Sequence, residues 1–467
     1  MKTLLAATTA LVGIASIALA GSLPAREASS SYYDLDANQR FLCEYGGSNM
    51  RSRECRGNPN EGGGVDNRAG AAGAKSARIE KVVYSFCPGG SPCTDGANPE
   101  AGLLNVDGSL YGTTYYGGSN SCAYHCTSGS GCSYVPCGTV FSLSPRTGAE
   151  KVVYSFNQDG FAPDAGLISA SGTLYGTTEF GGDLTYTRGA GTAFAFDPAD
   201  GSETLLFSFN RAQGRYPKGG MIKLGSLLYG TTSTFGGRYH DGTVFSLDPV
   251  TRTETVLHHF SSRIRGGTDG LGPVGNLILV HGRLYGVTGA GGAYRYGTVF
   301  SVDPASGHEK VVYSFCSQEN CTDGAGPAGG LIDVNGTLYG ATAVGGAYEG
   351  GTVFALNPDT GAEIVLYSFC SQENCTDGDG PVASLIHVRG KLYGTTQGGG
   401  AYGGGTVFSL DPTTGTETAL YSFCSQENCA DGANPEAALI DVKGTLYGTT
   451  YWGGAYGEGT VFTLDAR

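Results

Sequence analysis

The chain has 467 residues, a formal net charge of −14 and 80 glycines. A chain this acidic, with no local basic patch, is expected to bind neither nucleic acid nor an anionic membrane surface. Glycine stands at more than twice its usual share of about 7%, yet without an every-third-residue period, which excludes collagen. Its short clusters between β-branched and aromatic runs point to many short strands joined by tight turns.

Residues 1–20 read as a secretory signal: Lys2, an apolar run from Leu4 to Ala20, and the small-residue ending Ala18-Leu19-Ala20. Secretion to the extracellular space or a periplasm is expected, with no membrane association after cleavage. Residues 21–78 are rich in Ser, Gly, Asn and Arg and poor in apolar periodicity. They read as a flexible lead-in, pinned by a Cys43–Cys55 bridge.

From residue 79 to 467 the sequence repeats. An LYG core recurs at Tyr111, Tyr175, Tyr229, Tyr285, Tyr339, Tyr393 and Tyr447. A GTVF-like core follows each, at Phe141, Phe194, Phe245, Phe300, Phe354, Phe408 and Phe462. One unit shows four strand signals: 330–334, 337–342, 352–356 and 364–369. Asn335-Gly336 and Pro358-Asp359-Thr360-Gly361 supply the turns between the first and second pairs. The last unit stops after its third strand. Its missing fourth strand stands at the front of the array, in Glu80 to Phe86, where KVVYSF matches Lys151 to Phe156 and Lys310 to Phe315 letter for letter. A solenoid has no use for that offset; a ring does, because the front strand completes the last blade and removes an open edge. The predicted fold is all-β: a seven-bladed β-propeller with four antiparallel strands per blade, closed by its N-terminal strand. A monomer is expected.

Fourteen cysteines fit an oxidising compartment. Proximity pairs Cys87 with Cys93, Cys316 with Cys321, Cys370 with Cys375 and Cys424 with Cys429, the last three in identical CSQENC segments. Cys122, Cys126, Cys132 and Cys137 crowd one insertion, and their mutual pairing is open. The spacing does not match paired zinc knuckles, and no metal or cofactor is expected.

The ordered motifs LYGTT, GG, GTVF, DP-x-TG-x-E, YSF and DG-x-x-P resemble the tandem repeat of the GloVer (Gloeo/Verruco) family over residues 79–467. The resemblance implies an exported bacterial protein and carries no established activity. This chain departs from the family's anchored members in lacking a visible C-terminal anchor.

Connections between first and second strands, and between third and fourth, are short. The others are long and emerge on one face, where function is expected. Six repeats carry an acid in the DG-x-x-P turn, at Asp95, Asp159, Asp269, Asp323, Asp377 and Asp431, with Gln213 in the remaining one. One carboxylate per blade cannot converge on a single calcium ion; capping of nearby backbone is the expected role. Glu309, Glu363 and Glu417 of the TG-x-E turns read as hairpin residues on the opposite face. His258 and His259 alternate across a strand and make a poor chelating pair. No nucleophile elbow, paired catalytic carboxylate or Walker loop is identifiable, so no catalytic residue is assigned.

Tyr239, Tyr294, Tyr348, Tyr402 and Tyr456 each lie three residues before the GTVF glycine, and Trp452 precedes a glycine pair. They are the candidate ligand-binding residues, the alternative being rings wedged between blades. A binding module for carbohydrate or a cell-surface partner is the leading expectation. An extracellular enzyme acting on glycans or polyphenols, or a structural surface repeat, is the alternative. A convergent acid cluster in the central channel would favour the enzyme.

Overall fold

The computed structural model describes residues 80–466 except 128–130, 183–187, 237–239 and 263–266. The signal, the lead-in with Cys43 and Cys55, and Tyr239 lie outside the described residues. The rest forms seven antiparallel sheets of four strands, with a separate hairpin, Ser121–Thr127 and Gly131–Pro136, inserted in the first blade. In the fifth blade the inner strand is split into Ala325–Pro327 and Ile332–Val334, so this sheet counts five.

The fifth blade shows why the repeat folds this way. Ile332–Val334 leads through Asn335 (φ 54°) and Gly336 (φ 83°) into Thr337–Val344. Two successive positive φ values suit Asn-Gly, and Asp333 Oδ1 accepts the Gly336 N–H at 2.8 Å. Thr352–Leu356 then passes to Glu363–Ser368 through a turn in which Asn357 Oδ1 accepts the N–H groups of Asp359 and Thr360, each at 3.0 Å.

Closure occurs as the repeat offset requires. Lys81–Ser85 pairs antiparallel with Thr460–Asp465, placing Lys81 opposite Thr463 and Ser85 opposite Thr460. The apolar core lies between blades rather than within one. At every seam the phenylalanine ending one outer strand meets the GTVF phenylalanine of the next blade. Phe156–Phe194 and Phe315–Phe354 have centroids 5.2 and 5.1 Å apart, and the closing seam repeats this with Phe86–Phe141 at 5.1 Å.

Two further features explain the repeated letters. In all seven blades the last threonine of the second strand shares a hydroxyl–hydroxyl hydrogen bond with the threonine of GTVF, as in Thr342–Thr352 at 2.9 Å and Thr450–Thr460 at 2.9 Å. Both groups are buried, so each satisfies the other. The LYG glycine makes room for the GTVF ring: a Cβ on Gly340 would stand 2.6 Å from Phe354 Cζ and 2.9 Å from Leu331 Cδ2. Gly340→Ala is therefore expected to cost about 1–3 kcal/mol through overpacking. Urea unfolding should show a lower midpoint at unchanged slope.

Candidate functional site

The residue after the proline of each repeat is Glu100, Asp164, Lys218, Val274, Ala328, Val382 or Glu436. All seven line one cavity of about 230 Å³, which the seven blades enclose at one end of the channel. A second varying position, directly after the second-strand threonine that bonds the GTVF threonine, carries Tyr115, Glu179, Ser233, Gly289, Ala343, Gln397 and Tyr451. The surroundings of both positions are repeated almost letter for letter. Yet in the first series the three that follow Lys218, on the fourth to sixth blades, are apolar, and its polar members gather on the seventh, first, second and third.

These polar groups are linked. Tyr115 donates its hydroxyl to Glu179 Oε2 at 2.6 Å. Lys218 Nζ lies 3.3 Å from Glu179 Oε1 and 3.7 Å from Asp164 Oδ2. Glu100 shares a hydrogen bond with Asp164 and faces Glu436, whose Oε1 accepts from Gln397 Nε2 at 2.8 Å. Burial pushes the Glu100 carboxyl well above the usual range, and the Asp164 and Glu436 charges add to this against the opposing Lys218. Burial works against the Lys218 charge, but Glu179, Asp164 and Glu100 outweigh it and hold the ammonium protonated. Like charges sharing a site leave one carboxyl neutral. The mouth thus sets Glu100, its carboxyl pushed toward the neutral form, in a hydrogen bond with Asp164, and its lysine is already engaged by two acids. This is the convergent acid cluster that the sequence did not display.

The cysteine insertion packs in one apolar cluster with Tyr115 of this network. Cys122 bonds to Cys137 at its base. Cys132 is disulfide-bonded and stands opposite Cys126 in the hairpin register. Tyr124 of the insertion is buried, with the Arg188 guanidinium 4.0 Å over its ring and donating to its hydroxyl at 3.2 Å. The four local pairs, Cys87–Cys93, Cys316–Cys321, Cys370–Cys375 and Cys424–Cys429, are formed.

The cysteine loops and glycine-pair loops share a face and are tied to each other. Gly346, Gly400 and Gly454 donate their N–H groups to Cys321, Cys375 and Cys429 carbonyls, each at 2.9 Å. On these loops Tyr294, Tyr348, Tyr402 and Tyr456 are 49, 55, 60 and 51% exposed, and Trp452 is 48% exposed. The rings are therefore not wedged between blades. They do not line the central cavity either, so the structure presents two features on one face: an outer set of exposed aromatic rings and a central polar pocket.

Five of the six DG-x-x-P aspartates, Asp95, Asp269, Asp323, Asp377 and Asp431, cap backbone. Asp323 Oδ2 accepts from Tyr313 OH, Ser317 N and Ser317 Oγ, each at 2.8 Å, and Asp377 and Asp431 repeat the arrangement. The hairpin reading of the TG-x-E glutamates needs correction. Their side chains leave the turn and enter the seam with the preceding blade. Glu363 Oε2 lies 3.4 Å from Tyr313 OH, the same hydroxyl that serves Asp323, and Glu363 Oε1 is buried with no hydrogen-bond partner. Burial, then the neighbouring aspartate, pushes Glu363 up to about 7 and Glu417 up to about 8.

Fold and site together define a seven-bladed β-propeller built from one tandem repeat, with a polar pocket at one end of its channel. Residues 119–320 and 315–467 match the Gloeobacter/Verrucomicrobia repeat, and the chain belongs to that family. No curated protein matches it in sequence. Among solved structures it is similar to an oligogalacturonate lyase from Vibrio parahaemolyticus, with 10% identity over 84% of this chain and 97% of the other and a TM-score of 0.50. It is also similar to the extracellular domain of a hybrid two-component system from B. thetaiotaomicron, with 10% identity, a TM-score of 0.51, and coverage of 83% of this chain and 40% of that one. At these identities the likeness concerns the fold alone.

Proposed function

We propose that the chain is an exported, monomeric binding module for carbohydrate. A glycan lies across the long-loop face, with one polar unit seated in the channel mouth. The observation that carries this reading is the pair of varying positions, Glu100 to Glu436 and Tyr115 to Tyr451, which concentrate hydrogen-bonding groups at the one place where all blades meet. A cavity of about 230 Å³ lies below the roughly 300–1,000 Å³ of pockets for drug-sized ligands and suits a single small polar group. Around it the exposed Tyr294, Tyr348, Tyr402, Tyr456 and Trp452 can stack on sugar faces while their polar edges stay wet. Each contact is weak, and several blades acting on one polymer supply the affinity. The acid-rich mouth disfavours uronates and other anionic sugars, so neutral or amino sugars are the expected class. The disulfides fit the oxidising compartment that export would provide.

A second reading rests on the hydrogen-bonded pair of Glu100 and Asp164. A carboxyl pushed toward its neutral form can serve as a general acid, and Glu436, facing Glu100 from the closing blade, supplies the second acid that glycosidic cleavage would need. A glycan array on the secreted protein tests both readings. Replacing Tyr348, Tyr402 and Tyr456 together by Ala is expected to lower binding at least tenfold with little loss of stability. Unchanged binding, or no glycan bound by the parent, would refute the binding reading. Release of new reducing ends by the parent, lost in Glu100→Gln, would favour the enzyme.

A further inference from the structure

Five of the seven blade seams repeat one trio: a tyrosine of an outer strand, the aspartate of the following loop, and the glutamate that opens the outer strand of the next blade. Tyr313, Asp323 and Glu363 form one such set, and Tyr84, Asp95 and Glu150 another. At the seam between the third and fourth blades the tyrosine position holds His258. Its Nε2 is 3.2 Å from Asp269 Oδ2, and donor atoms of His258, Asp269 and Glu309 all lie within 4.8 Å of one another. Glu309 Oε1 is buried and has no hydrogen-bond partner.

We propose that His258, Asp269 and Glu309 form a binding site for a divalent transition-metal ion, with zinc the best fit. An imidazole and two carboxylates make a suitable donor set, and the imidazole selects a transition metal over calcium or magnesium. Bonds of about 2 Å put the donors of a tetrahedral zinc roughly 3.4 Å apart. The His258–Asp269 pair stands at 3.2 Å already, and a rotation of the Glu309 carboxylate completes the set. The three come from two blades, so a bound ion would clip the seam. The second shell is in place. Asp269 Oδ2 accepts from Ser261 N at 3.0 Å and Ser261 Oγ at 3.2 Å, and Asp269 Oδ1 from Gly270 N at 2.7 Å, which fixes the carboxylate. Arg283 is the nearby cation. It is occupied by the carbonyls of Ser301 and His308 and by Asp303, whose Oδ2 is 3.9 Å away. His259 takes no part, as strand alternation requires.

The repeat supplies its own control, because tyrosine at this position leaves an acid pair that lacks the nitrogen donor. Calorimetric titration of metal-stripped full-length protein with Zn²⁺ should find one equivalent bound. His258→Tyr restores the letter used by other blades, and Glu309→Gln keeps shape and removes charge. Both should keep the parent's circular dichroism and weaken Zn²⁺ binding at least tenfold. With Co²⁺ as a spectroscopic probe, the parent alone should develop visible absorption bands. A parent that binds no Zn²⁺, or either variant binding like the parent, would overturn the site.

Discussion

A chain lacking Glu80 to Phe86 is expected to lose at least about 5 kcal/mol of stability, or to fail to fold. The truncation takes Lys81–Ser85 from the edge of Thr460–Asp465 and exposes that strand's unpaired backbone. It also removes Phe86, fully buried against Phe141 of the first blade. Loss of one buried phenylalanine ring alone costs about 3–5 kcal/mol, and here the seam that closes the ring opens with it. Phe86→Ala isolates that share, at about 3–4 kcal/mol. Glu80 is lost as well; it stands beside Tyr421 and Asp431 as Glu363 stands beside Tyr313 and Asp323. Chemical denaturation of the two variants checks both figures, and a truncated chain that melts like the parent would contradict closure.

Stability is expected to fall as pH rises from about 5 to 8. Glu80, Glu150, Glu254, Glu309 and Glu363 are raised from 4.5 to about 7, and Glu417 to about 8. Burial is the leading cause in each. Five of the six also face an aspartate; Glu254, whose neighbouring blade carries Gln213 at that place, is raised by burial alone. The folded protein holds these protons more tightly than the unfolded chain. Their stabilising contribution is therefore complete below about 4.5 and drains away as pH passes through 7 to 8. These carboxyls keep some contact with water, which damps the effect. A fall in melting temperature on the order of 5 °C between pH 5 and pH 8 is the expected size. Replacing Glu309, Glu363 and Glu417 together by Gln should flatten the profile. Stability that rises over this range would show that the seam glutamates are not held protonated.

The repeat made the fold legible. Strands, turns and ring closure all follow from letters that recur in register, and a duplicated KVVYSF segment at the front of the array has no other use. The insertion was less legible: Cys122 and Cys137 have no counterparts in other units, so only the folded hairpin, which brings its two ends together, shows that they pair. The seam glutamates were misread because a turn class places a Cα but does not say how far a side chain reaches into the neighbouring blade. The channel mouth was missed for a related reason. Glu100 and Glu436 are distant in sequence and meet only when the ring closes. The available signal lay in the columns that fail to repeat: the letter after each proline and the letter after the paired threonine of each second strand. Reading the repeats for what varies, rather than for what recurs, would have found the pocket.

The central claim, that the channel mouth seats part of the ligand, is tested most directly by filling it. Ala328 lines the cavity on its apolar side, away from the acids and Lys218. Ala328→Trp should occupy much of the space without breaking a polar contact. Calorimetry with the strongest glycan from the array should then show at least a tenfold loss of affinity at an unchanged melting temperature. Affinity equal to the parent's in a folded Ala328→Trp variant would place the ligand elsewhere and contradict the account.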